Sequence, residues 1–398
     1  MPLQRQVCHR RGAATAGLAG FALLAGTAVP AGAQTIIVGN DEKVILDDSG
    51  KQTFHPPGKD TVEFLSLEGN PAEPRSVAAI PLMNSLLGPP TNLAVHPNGE
   101  IALIANSMEW QKDGQAWKPV PDTNLHVIDL KASPPKVIQT VTTGKQPSGL
   151  SISAKGDLAL VTNRADNSIS VLGIDGNEVK VLDTIAMGDS VAHVAIAPDG
   201  RRAVAIKPTV NKAALLEIDG QKVAYNKYDM PVGVFPYNVD ITPDSKLALT
   251  ANNGAGGNSD GNVDTVSVID LEQNPPRVID HVVVGDAPEG FAISPKGNLA
   301  VAILLRGSGG DKKAFYYRTT GALVALKIDG KKVTKVGEVD LGGLPEGVVF
   351  SSDGQYVYVG NFIDGDLSIL KVEGDKVTDT GKRVKLAGHP ASLRAPTK

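Results

Sequence analysis

Three features of the sequence predict an all-β protein built from seven similar units. An inner-strand phrase, clearest in Pro288–Ile303, joins Pro, a variable residue, an alternating apolar run, a Pro-Lys-Gly corner and a second apolar run. A hairpin phrase of strand, turn and strand follows it, as in Ile169–Gly176. The chain also begins with strand-like runs that lack the inner-strand phrase and ends with a copy that no strand follows. Self-similarity of this kind is typical of a repeat architecture.

The inner-strand phrase sets the number of units at seven. Its copies begin at Pro90, Pro147, Val191, Pro236, Pro288, Pro345 and Pro390. The corners at Lys155 and Asp199 are 44 residues apart, and those at Lys296 and Asp353 are 57 apart. Alternating runs between Gly, Pro and Asn predict strands, and Asp-Gly turns suit tight hairpins. Four-stranded units of this length predict a seven-bladed β-propeller around a central channel.

The two ends of the chain are predicted to complete one blade together. Three strand-like runs come first, at Thr35–Val38, Thr61–Leu67 and Ser76–Leu82, and the last copy of the phrase stops at Arg394. The C-terminal segment is therefore expected to be the inner strand of a blade whose other three strands are N-terminal, which leaves no free sheet edge. A solenoid is the alternative, but it needs capping repeats and does not explain the split unit.

The first 33 residues have the organisation of an export signal. Arg5, Arg10 and Arg11 precede a weakly apolar stretch over residues 13–28, and Ala31-Gly32-Ala33 supplies a cleavage site. We expect cleavage near Ala33 and a single mature domain, residues 34–398, that is periplasmic or secreted. An uncleaved membrane anchor is the alternative, and Sec and twin-arginine export both stay open.

Composition narrows the class of function. The net charge of −4 over 398 residues argues against a nucleic-acid partner, because binding phosphates requires a basic excess. Beyond the N-terminus no apolar run is long enough for a membrane span. We also expect the protein to be a monomer. The single cysteine, Cys8, lies in the predicted signal, so disulfides, thiolate ligands and a cysteine nucleophile are excluded from the mature chain.

The phrase carries a family resemblance. Its Ser-Pro-Lys-Gly corner and the Asn that ends Leu160–Asn163 and Tyr358–Asn361 resemble the YVTN-type propeller repeat. The chain is also similar to the related bacterial lactonase family, which includes 6-phosphogluconolactonase-like proteins and has seven blades. This resemblance implies the fold, with a lactonase-like activity as one expectation. The Pro-Arg-His-like signature of that family is echoed only by Val191-Ala-His193, where Pro and Arg are both missing.

Candidate site residues come from the loops of one propeller face. Loops that lead into the inner strands and loops that leave the second strands meet there, with asparagines such as Asn163 and Asn361 at the strand exits. The catalytic candidates are His193, Glu289 and Glu346. The expected ligand-binding residues are Asn92, Trp110, Trp117, Arg164, Lys207, Tyr237, Asn238, Arg306 and Tyr316.

Each candidate also has a structural interpretation. His193 replaces the Gly or Asn of other copies and is either a general base or a hydrogen-bonded structural residue. Glu289 and Glu346 share a Pro-Glu-Gly context and are either paired acids, general bases or metal ligands, or carboxylates that cap a repeated turn. Basic residues on this face suit an anionic substrate or a developing oxyanion, or are solvated charges.

Three long loops are expected on the same face, at residues 107–123, 253–264 and 307–321. Long loops in compact domains are often functional. Trp110 and Trp117 lie in the first and Phe315–Arg318 in the third, although only 4% of all residues are aromatic. We expect these aromatics to cover a small-ligand site, with packing on the propeller's own rim as the alternative.

The cofactor stays open, with a divalent cation such as calcium as the candidate. Residues 258–264 space oxygen ligands two apart, as calcium loops do, but lack a distal bidentate Glu, and a polar turn is the alternative. Calcium-dependent propeller lactonases use a site at the channel centre. Glu289 or Glu346 would imitate that site together with the side chains of Asn92, Asn238 or Asn252.

Three functions remain open from the sequence. The first is an exported lactonase-like hydrolase of small cyclic esters. The second is a non-enzymatic propeller of the YVTN type that presents its loop-rich face to a small molecule or a protein partner. The third, an accessory subunit of a periplasmic redox enzyme, has no ligand signature in the sequence.

Overall fold

The computed structural model describes Met1 and residues 35–396, which form a seven-bladed β-propeller with four-stranded blades. The predicted signal peptide and its cleavage site at Ala33 lie outside the described residues. Within the described residues the single helical segment is the short 3-10 turn Pro208–Val210, and no helix is long and apolar enough to cross a bilayer.

The strands are numbered β1–β33 along the chain. The N-terminal strands are β1 (Thr35–Asn40), β2 (Val44–Leu46), β3 (Gln52–Phe54), β4 (Thr61–Ser66) and β5 (Arg75–Pro81). Blade 1 contains β6 (Leu93–Val95), β7 (Ile101–Ala105), β10 (Asn124–Asp129) and β11 (Lys136–Thr142), with an extra hairpin of β8 (Met108–Asp113) and β9 (Ala116–Pro121). Blade 2 contains β12 (Pro147–Ile152), β13 (Leu158–Asn163), β14 (Ser168–Asp175) and β15 (Glu178–Ala186). Blade 3 contains β16 (His193–Ile196), β17 (Arg202–Lys207), β18 (Lys212–Asp219) and an outer strand in two pieces, β19 (Lys222–Ala224) and β20 (Asp229–Pro231).

The remaining blades follow the same order from the channel outwards. Blade 4 contains β21 (Pro236–Ile241), β22 (Leu247–Asn252), β23 (Asp264–Asp270) and β24 (Arg277–Gly285). Blade 5 contains β25 (Pro288–Ile293), β26 (Leu299–Leu304), β27 (Ala322–Asp329) and β28 (Lys332–Asp340). Blade 6 contains β29 (Pro345–Phe350), β30 (Tyr356–Asn361), β31 (Asp366–Glu373) and β32 (Lys376–Lys385), and the last strand is β33 (Pro390–Arg394).

Blade 7 is assembled from both ends of the chain. Its strand order is β33-β1-β4-β5, so the C-terminal strand is innermost. Strands β33 and β1 are antiparallel, with Ile37 opposite Arg394 and Val38 opposite Leu393. The predicted split blade is therefore confirmed, and the backbone groups along the inner edge of β1 are paired.

The hydrophobic core lies between neighbouring blades. Each of the seven pairs of adjacent blades shares a cluster of buried apolar side chains. At the closure between blades 7 and 1, Ile37 and Phe64 pack with Leu93 and Ile104. A blade is covered on both faces, so its inner strands read as continuous apolar runs, as in β26, where every residue is buried.

The corner between the first two strands of a blade requires a left-handed residue. Gly297 has a φ of 72° at this corner in blade 5, a conformation that glycine adopts without steric cost. Blade 4 has Ser245 in the same place, with a φ of 61°. The Ser245 hydroxyl accepts the backbone N–H of Asp199 in blade 3 at 2.9 Å, so this exception links two blades.

The glycine of the Pro-Glu-Gly segments is required by the close approach of neighbouring inner strands. A Cβ at Gly290 would lie 2.4 Å from the carbonyl oxygen of Glu346, and a Cβ at Gly347 would lie 2.3 Å from the backbone nitrogen of Leu393. Such contacts are shorter than van der Waals packing allows. The inner strands therefore crowd around the axis, and the residue before each glycine is held at one end of the channel.

Candidate functional site

A cavity of about 550 Å³ lies at the end of the channel where the inner strands begin, and we call it the upper cavity. Its volume is within the range of small-molecule sites. Five of the residues predicted for the site line it: Arg164, Tyr237, Glu289, Tyr316 and Glu346. They come from blades 2, 4, 5 and 6, so the ring gathers groups that are far apart in sequence.

Glu289 and Glu346 form a buried pair in neighbouring blades. Their exposed fractions are only 6% and 3%. Burial raises the pKa of Glu289, and burial together with the charge of Glu289 raises the pKa of Glu346 well above the ordinary 4.5. Oε2 of Glu346 has no hydrogen-bond partner among the described residues. Because two adjacent buried carboxyls do not ionise together readily, the pair retains a proton at neutral pH.

Arg164 supplies the positive charge that acts on this pair. Its guanidinium carbon lies 5.7 Å from the centre of the Tyr237 ring, which is a cation–π geometry. The charge of Arg164 partly counteracts the effect of burial on the pKa of Glu289. Burial raises the pKa of Tyr237 to about 12, so its hydroxyl stays protonated. The cavity wall thus combines two buried carboxyls of raised pKa, a cation and a neutral hydroxyl.

Strands β2 and β3 form a hairpin that covers the upper cavity, and we call it the lid. Leu46 and Gly50 of this hairpin line the cavity. Its tip docks on the long loop of blade 5, where a Cβ at Gly50 would lie 2.8 Å from the carbonyl carbon of Gly310. The backbone N–H of Lys312 donates to the carbonyl of Asp48 at 3.0 Å, and their side chains form an ion pair at 2.6 Å. The lid therefore joins blade 7 to blade 5 above the channel.

Two of the predicted long loops form the neighbouring wall. The backbone N–H of Gly307 donates to the hydroxyl of Ser259 at 2.6 Å, which ties loop 307–321 to loop 253–264. A Cβ at Gly261 would lie 2.8 Å from the Cβ of Tyr316, so the two loops also pack tightly. Tyr316 lines the cavity, whereas Phe315 is 86% exposed.

The third long loop supports the lid from behind. It forms the β8–β9 hairpin, on which Trp110 is buried with its ring centre 4.6 Å from Nζ of Lys43 and 6.1 Å from the ring of Phe54 in β3. Trp117 lies on β9, which packs against β3. Neither tryptophan is among the described residues that line the upper cavity. Trp110 therefore packs on the protein's own rim, which was the alternative to covering a ligand site.

Two of the basic candidates are engaged elsewhere. Lys207 is 1% exposed and its Nζ lies 3.0 Å from a carboxylate oxygen of Asp229 in the same blade. Arg306 pairs with Asp340 at 2.7 Å and with Glu338 at 3.5 Å on the outer strand of blade 5. The described lining of the upper cavity includes neither of them.

The third position of the phrase carries three further candidates, Asn92, His193 and Asn238. Nδ2 of Asn92 donates to Oδ1 of Asn84 at 2.6 Å and to the carbonyl of Ala105 at 2.9 Å. Asn238 is 1% exposed. None of the three is in the described lining of the upper cavity, because successive residues of a strand point in opposite directions.

His193 is packed between blades 2 and 4. Its exposed fraction is 4%, its Nδ1 accepts the backbone N–H of Val239 at 3.3 Å, and a Cβ at Gly149 would lie 2.5 Å from its ring. Burial, with the charge of Arg394, lowers the pKa of His193 to about 3. The imidazole is therefore neutral at physiological pH, and it is not in the described lining of the upper cavity, where Glu289 and Glu346 lie.

The asparagines at the strand exits hold their own blades together. Nδ2 of Asn163 donates to the hydroxyls of Ser168 and Ser170, both at 3.0 Å, and Asn252 and Asn361 make the same kind of contact in blades 4 and 6. This repeated bond fixes the turn from the second to the third strand. The residue after Asn163, Arg164, is the one that lines the upper cavity.

The divalent-cation hypothesis stays a prediction. In the described part of the chain, no three His, Asp or Glu side chains converge closely enough to hold a metal ion. In the candidate calcium loop, Oδ2 of Asp264 accepts the N–H of Ala287 at 3.0 Å, and Oδ1 of Asp260 accepts the N–H of Asn262 at 2.9 Å. Asp260 thus stabilises its own turn, and Asp264 accepts a bond from the residue just before β25.

The lid is the part of the site that sequence reasoning missed. Leu46, Gly50 and Gln52 line the cavity but were not candidates, and neither was Gln146 beside Arg164. One signal was available, because some twenty residues without an assigned strand separate Val38 from Thr61. A connection of that length within a compact domain is commonly functional.

Solved structures share this fold over nearly the whole chain. A putative 6-phosphogluconolactonase from Bacteroides fragilis matches with a TM-score of 0.68 at 18% identity, covering 91% of this chain and 97% of that one. The periplasmic gluconolactonase of Pseudomonas aeruginosa matches with a TM-score of 0.65 at 16% identity, covering 92% and 99%. The protein has a lactonase-like propeller fold. Identities this low establish the fold alone.

Proteins that are not named as lactonases have the same fold. The hydrazine synthase of Kuenenia stuttgartiensis matches with a TM-score of 0.58 at 18% identity, covering 78% of this chain and 90% of that one. One fold hosts many chemistries, so activity has to be argued from the site. The sequence matches no protein-family model and no curated protein.

Proposed function

We propose that the protein hydrolyses small cyclic esters of the sugar-lactone class in the upper cavity. One observation carries the proposal: two buried carboxyls from neighbouring blades line one cavity together with Arg164 and Tyr237. Ester hydrolysis needs a base for water, an acid for the leaving oxygen and a positive or hydrogen-bonding group for the oxyanion. These four side chains match that requirement.

The two carboxyls divide the proton transfers between them. Burial raises the pKa of Glu289 to about 8, but the charge of Arg164 favours its ionised form. Glu289 therefore acts as the base, most effectively as the pH approaches 8. Glu346 keeps the proton, because burial and the charge of Glu289 both favour its neutral form. Water loses a proton to Glu289 as its oxygen bonds to the ester carbonyl carbon. The ring carbon–oxygen bond then breaks, and the leaving oxygen takes the proton of Glu346, which yields the hydroxy acid.

Arg164 and Tyr237 are suited to the charge that develops on the carbonyl oxygen. Tyr237 keeps its hydroxyl proton because its pKa is raised to about 12, and it can donate to the oxyanion. Arg164 is a cation held against the Tyr237 ring. A lid that limits the access of water strengthens such interactions, since the surrounding dielectric is lower.

The comparisons support the choice of substrate. Three structures with this fold bear lactonase names, and one of them is described as periplasmic. The upper cavity is large enough for a monosaccharide lactone, and its lining includes polar residues such as Gln52, Gln146 and Asn258. We also propose that the protein is exported and cleaved after Ala33. N-terminal sequencing of the mature protein tests this, because its sequence is expected to begin at Gln34.

The test is the hydrolysis of glucono-1,5-lactone, followed as acid release above the spontaneous rate. The wild-type protein is expected to turn over, and Glu289→Gln and Glu346→Gln are each expected to reduce kcat by about a hundredfold or more. Glu373→Gln serves as a matched control, because Glu373 is an exposed carboxylate on the outer part of blade 6. Thermal unfolding of each variant separates a chemical effect from a loss of fold.

Two outcomes would contradict the proposal. Turnover that survives both glutamine substitutions would exclude the carboxyl pair as its source. Saturable binding of the lactone by the wild-type protein without turnover would favour the non-enzymatic binding propeller instead.

A further inference from the structure

A second cavity, of about 490 Å³, lies at the opposite end of the channel, and we call it the lower cavity. Its described lining has no residue in common with that of the upper cavity. Most of its wall is apolar side chains of the inner strands, among them Ile152, Ile196, Ile241, Phe291, Ile293 and Phe350. It is therefore a separate compartment of different character.

The fifth position of the inner-strand phrase creates this space. In four of the seven copies this position holds a small residue, Ala94, Ser151, Ala195 or Ala292, and all four line the lower cavity. Two copies carry a charge there instead, Asp240 in blade 4 and Arg394 in the C-terminal strand of blade 7.

Arg394 contacts no carboxylate of the described residues, although the charge of Asp240 in the same lining favours its charged form. It forms no ion pair within 4.0 Å of a carboxylate of the described residues, and its hydrogen bond is to the carbonyl of Leu393 at 3.5 Å. Burial lowers the pKa of Arg394, which means that its charge is poorly solvated. A partly desolvated guanidinium beside an open cavity gains free energy when an anion binds to it.

Two other ionisable residues that line the lower cavity, His193 and Asp240, offer no positive charge to an anion. His193 is neutral, since burial lowers its pKa to about 3. Oδ1 and Oδ2 of Asp240 accept the backbone N–H groups of Ile241 at 2.9 Å and Ile293 at 2.8 Å. Asp240 also disfavours ligands with several negative charges in the same compartment. The remaining charged lining residues, Lys296 and Asp353, are exposed.

We propose that the lower cavity binds a small organic monocarboxylate with an apolar body. The carboxylate pairs with the guanidinium of Arg394, whose planar fork suits two parallel hydrogen bonds. The hydrocarbon part packs on the aliphatic inner-strand walls, which favours a chain of a few carbons over a sugar acid. This inference is independent of the proposed hydrolysis, because the two cavities have no lining residue in common.

Calorimetric titration of the full mature protein with sodium hexanoate tests the proposal, with hexanamide as the neutral counterpart. Hexanoate is expected to bind saturably at one site, and hexanamide at least about tenfold more weakly, because it lacks the charge. Arg394→Gln is expected to weaken hexanoate binding by about tenfold or more. Arg394→Lys retains the charge without the fork and is expected to lie between the two.

Two further variants locate the site. Ala292→Phe fills the space from the wall and leaves Arg394 in place, so it is expected to abolish hexanoate binding even if Arg394→Gln proves poorly folded. Arg164→Gln in the upper cavity is expected to leave the affinity within about twofold, since additivity holds for separate sites. Equal affinity for hexanoate and hexanamide, no saturable binding, or loss of binding only in Arg164→Gln would overturn the proposal.

Discussion

The two ends of the channel are built by the same seven strands and yet offer opposite environments. At the upper end, the second position of the phrase brings Glu289 and Glu346 together under a lid. At the lower end, the fifth position leaves an apolar space with Arg394 and a backbone-bound Asp240 on its wall. The upper cavity is thus lined by an acidic pair beside Arg164, and the lower cavity by Arg394 with Asp240 in an apolar wall.

This difference shows that the recurring residues of the phrase build the scaffold, whereas the residues that differ between copies supply the chemistry. The recurring Pro, Gly and alternating apolar residues place all inner strands at equivalent heights, so each position of the phrase becomes a ring of seven side chains. Chemistry arises where one or two blades depart from the ring, as Asp240 and Arg394 do among the uncharged residues of the fifth position. A polar departure is tolerated there because the channel, unlike the interfaces between blades, is not filled with apolar side chains.

Loss of β33, the C-terminal strand that closes blade 7, should have the largest effect on stability. Deleting Pro390–Lys398 removes β33 from blade 7 and exposes the inner edge of β1 together with the apolar residues around Leu393. We expect the unfolding temperature to fall by more than about 10 °C, because a cluster between two blades is opened and a sheet edge is unpaired. Deleting only Thr397 and Lys398 is the control. A native-like melting temperature for the longer deletion would contradict the closure by β33.

The acidic pair of the upper cavity should make stability depend on pH above about pH 4.5. The pKa values of Glu289 and Glu346 are raised in the folded state, so the folded state binds more protons than the unfolded state above about pH 4.5. The free energy of unfolding should therefore decrease as the pH rises from about 4.5 through the folded-state pKa values. Glu346→Gln should reduce this decrease and raise the melting temperature at pH 9 relative to the wild type.

Calorimetric melting between pH 4 and pH 9 measures this effect. The control is Glu373→Gln, which changes an exposed carboxylate in the same blade. If the wild type and Glu346→Gln lost stability in parallel with rising pH, Glu346 would not be the buried acid that the cavity geometry implies.

His193 lies in the lower lining and tests how strictly the two ends are separated. His193→Asn should lower stability by about 1–3 kcal/mol, because a buried ring and its bond from Val239 are lost. Lactone turnover should stay within about threefold of the wild type, since His193 does not line the upper cavity. His55→Asn, at an exposed position, is the control. A hundredfold loss of kcat without a loss of stability would assign His193 to the catalytic machinery.

The smallest effect is expected from the lid. Gly50→Ala places a Cβ 2.8 Å from the carbonyl carbon of Gly310 at a φ of 74°, so the lid should be displaced from blade 5. We expect KM for the lactone to rise several-fold and stability to fall by about 1 kcal/mol. Gly69→Ala is a matched control, with a φ of 82° and no atom within 4 Å of the added Cβ. An equal effect of both substitutions on KM would attribute it to backbone strain alone.

Much of the fold could be read from the sequence because its signals are local and repeated. Corners such as Gly297 and hairpin turns such as Gly176 need left-handed backbone, and only a few residue types meet that need cheaply. The split blade followed from the mismatch between the two ends of the chain. The lid was missed because its strands are short and its pairing depends on contacts with another blade.

The candidate site was only partly predictable. Position in the phrase predicted that Tyr237, Glu289 and Glu346 lie at one end of the channel, and all three line one cavity. Strand-exit positions also suggested Lys207 and Arg306, and a long loop suggested Trp110, but these side chains find partners within their own blade or next to the lid. Long side chains choose among several neighbours, and the spacing of residues along the chain does not reveal which carboxylate lies within reach.

The sequence by itself determined seven blades, their closure by the two termini and the end of the channel at which polar residues gather. These depend on turn chemistry and on alternation along a strand, which act over a few residues. Only the tertiary structure decided that the pKa values of Glu289 and Glu346 are raised, that His193 is neutral and that Arg394 lines a separate cavity. Those properties follow from burial and from charges on other blades, and both exist only once the ring has closed.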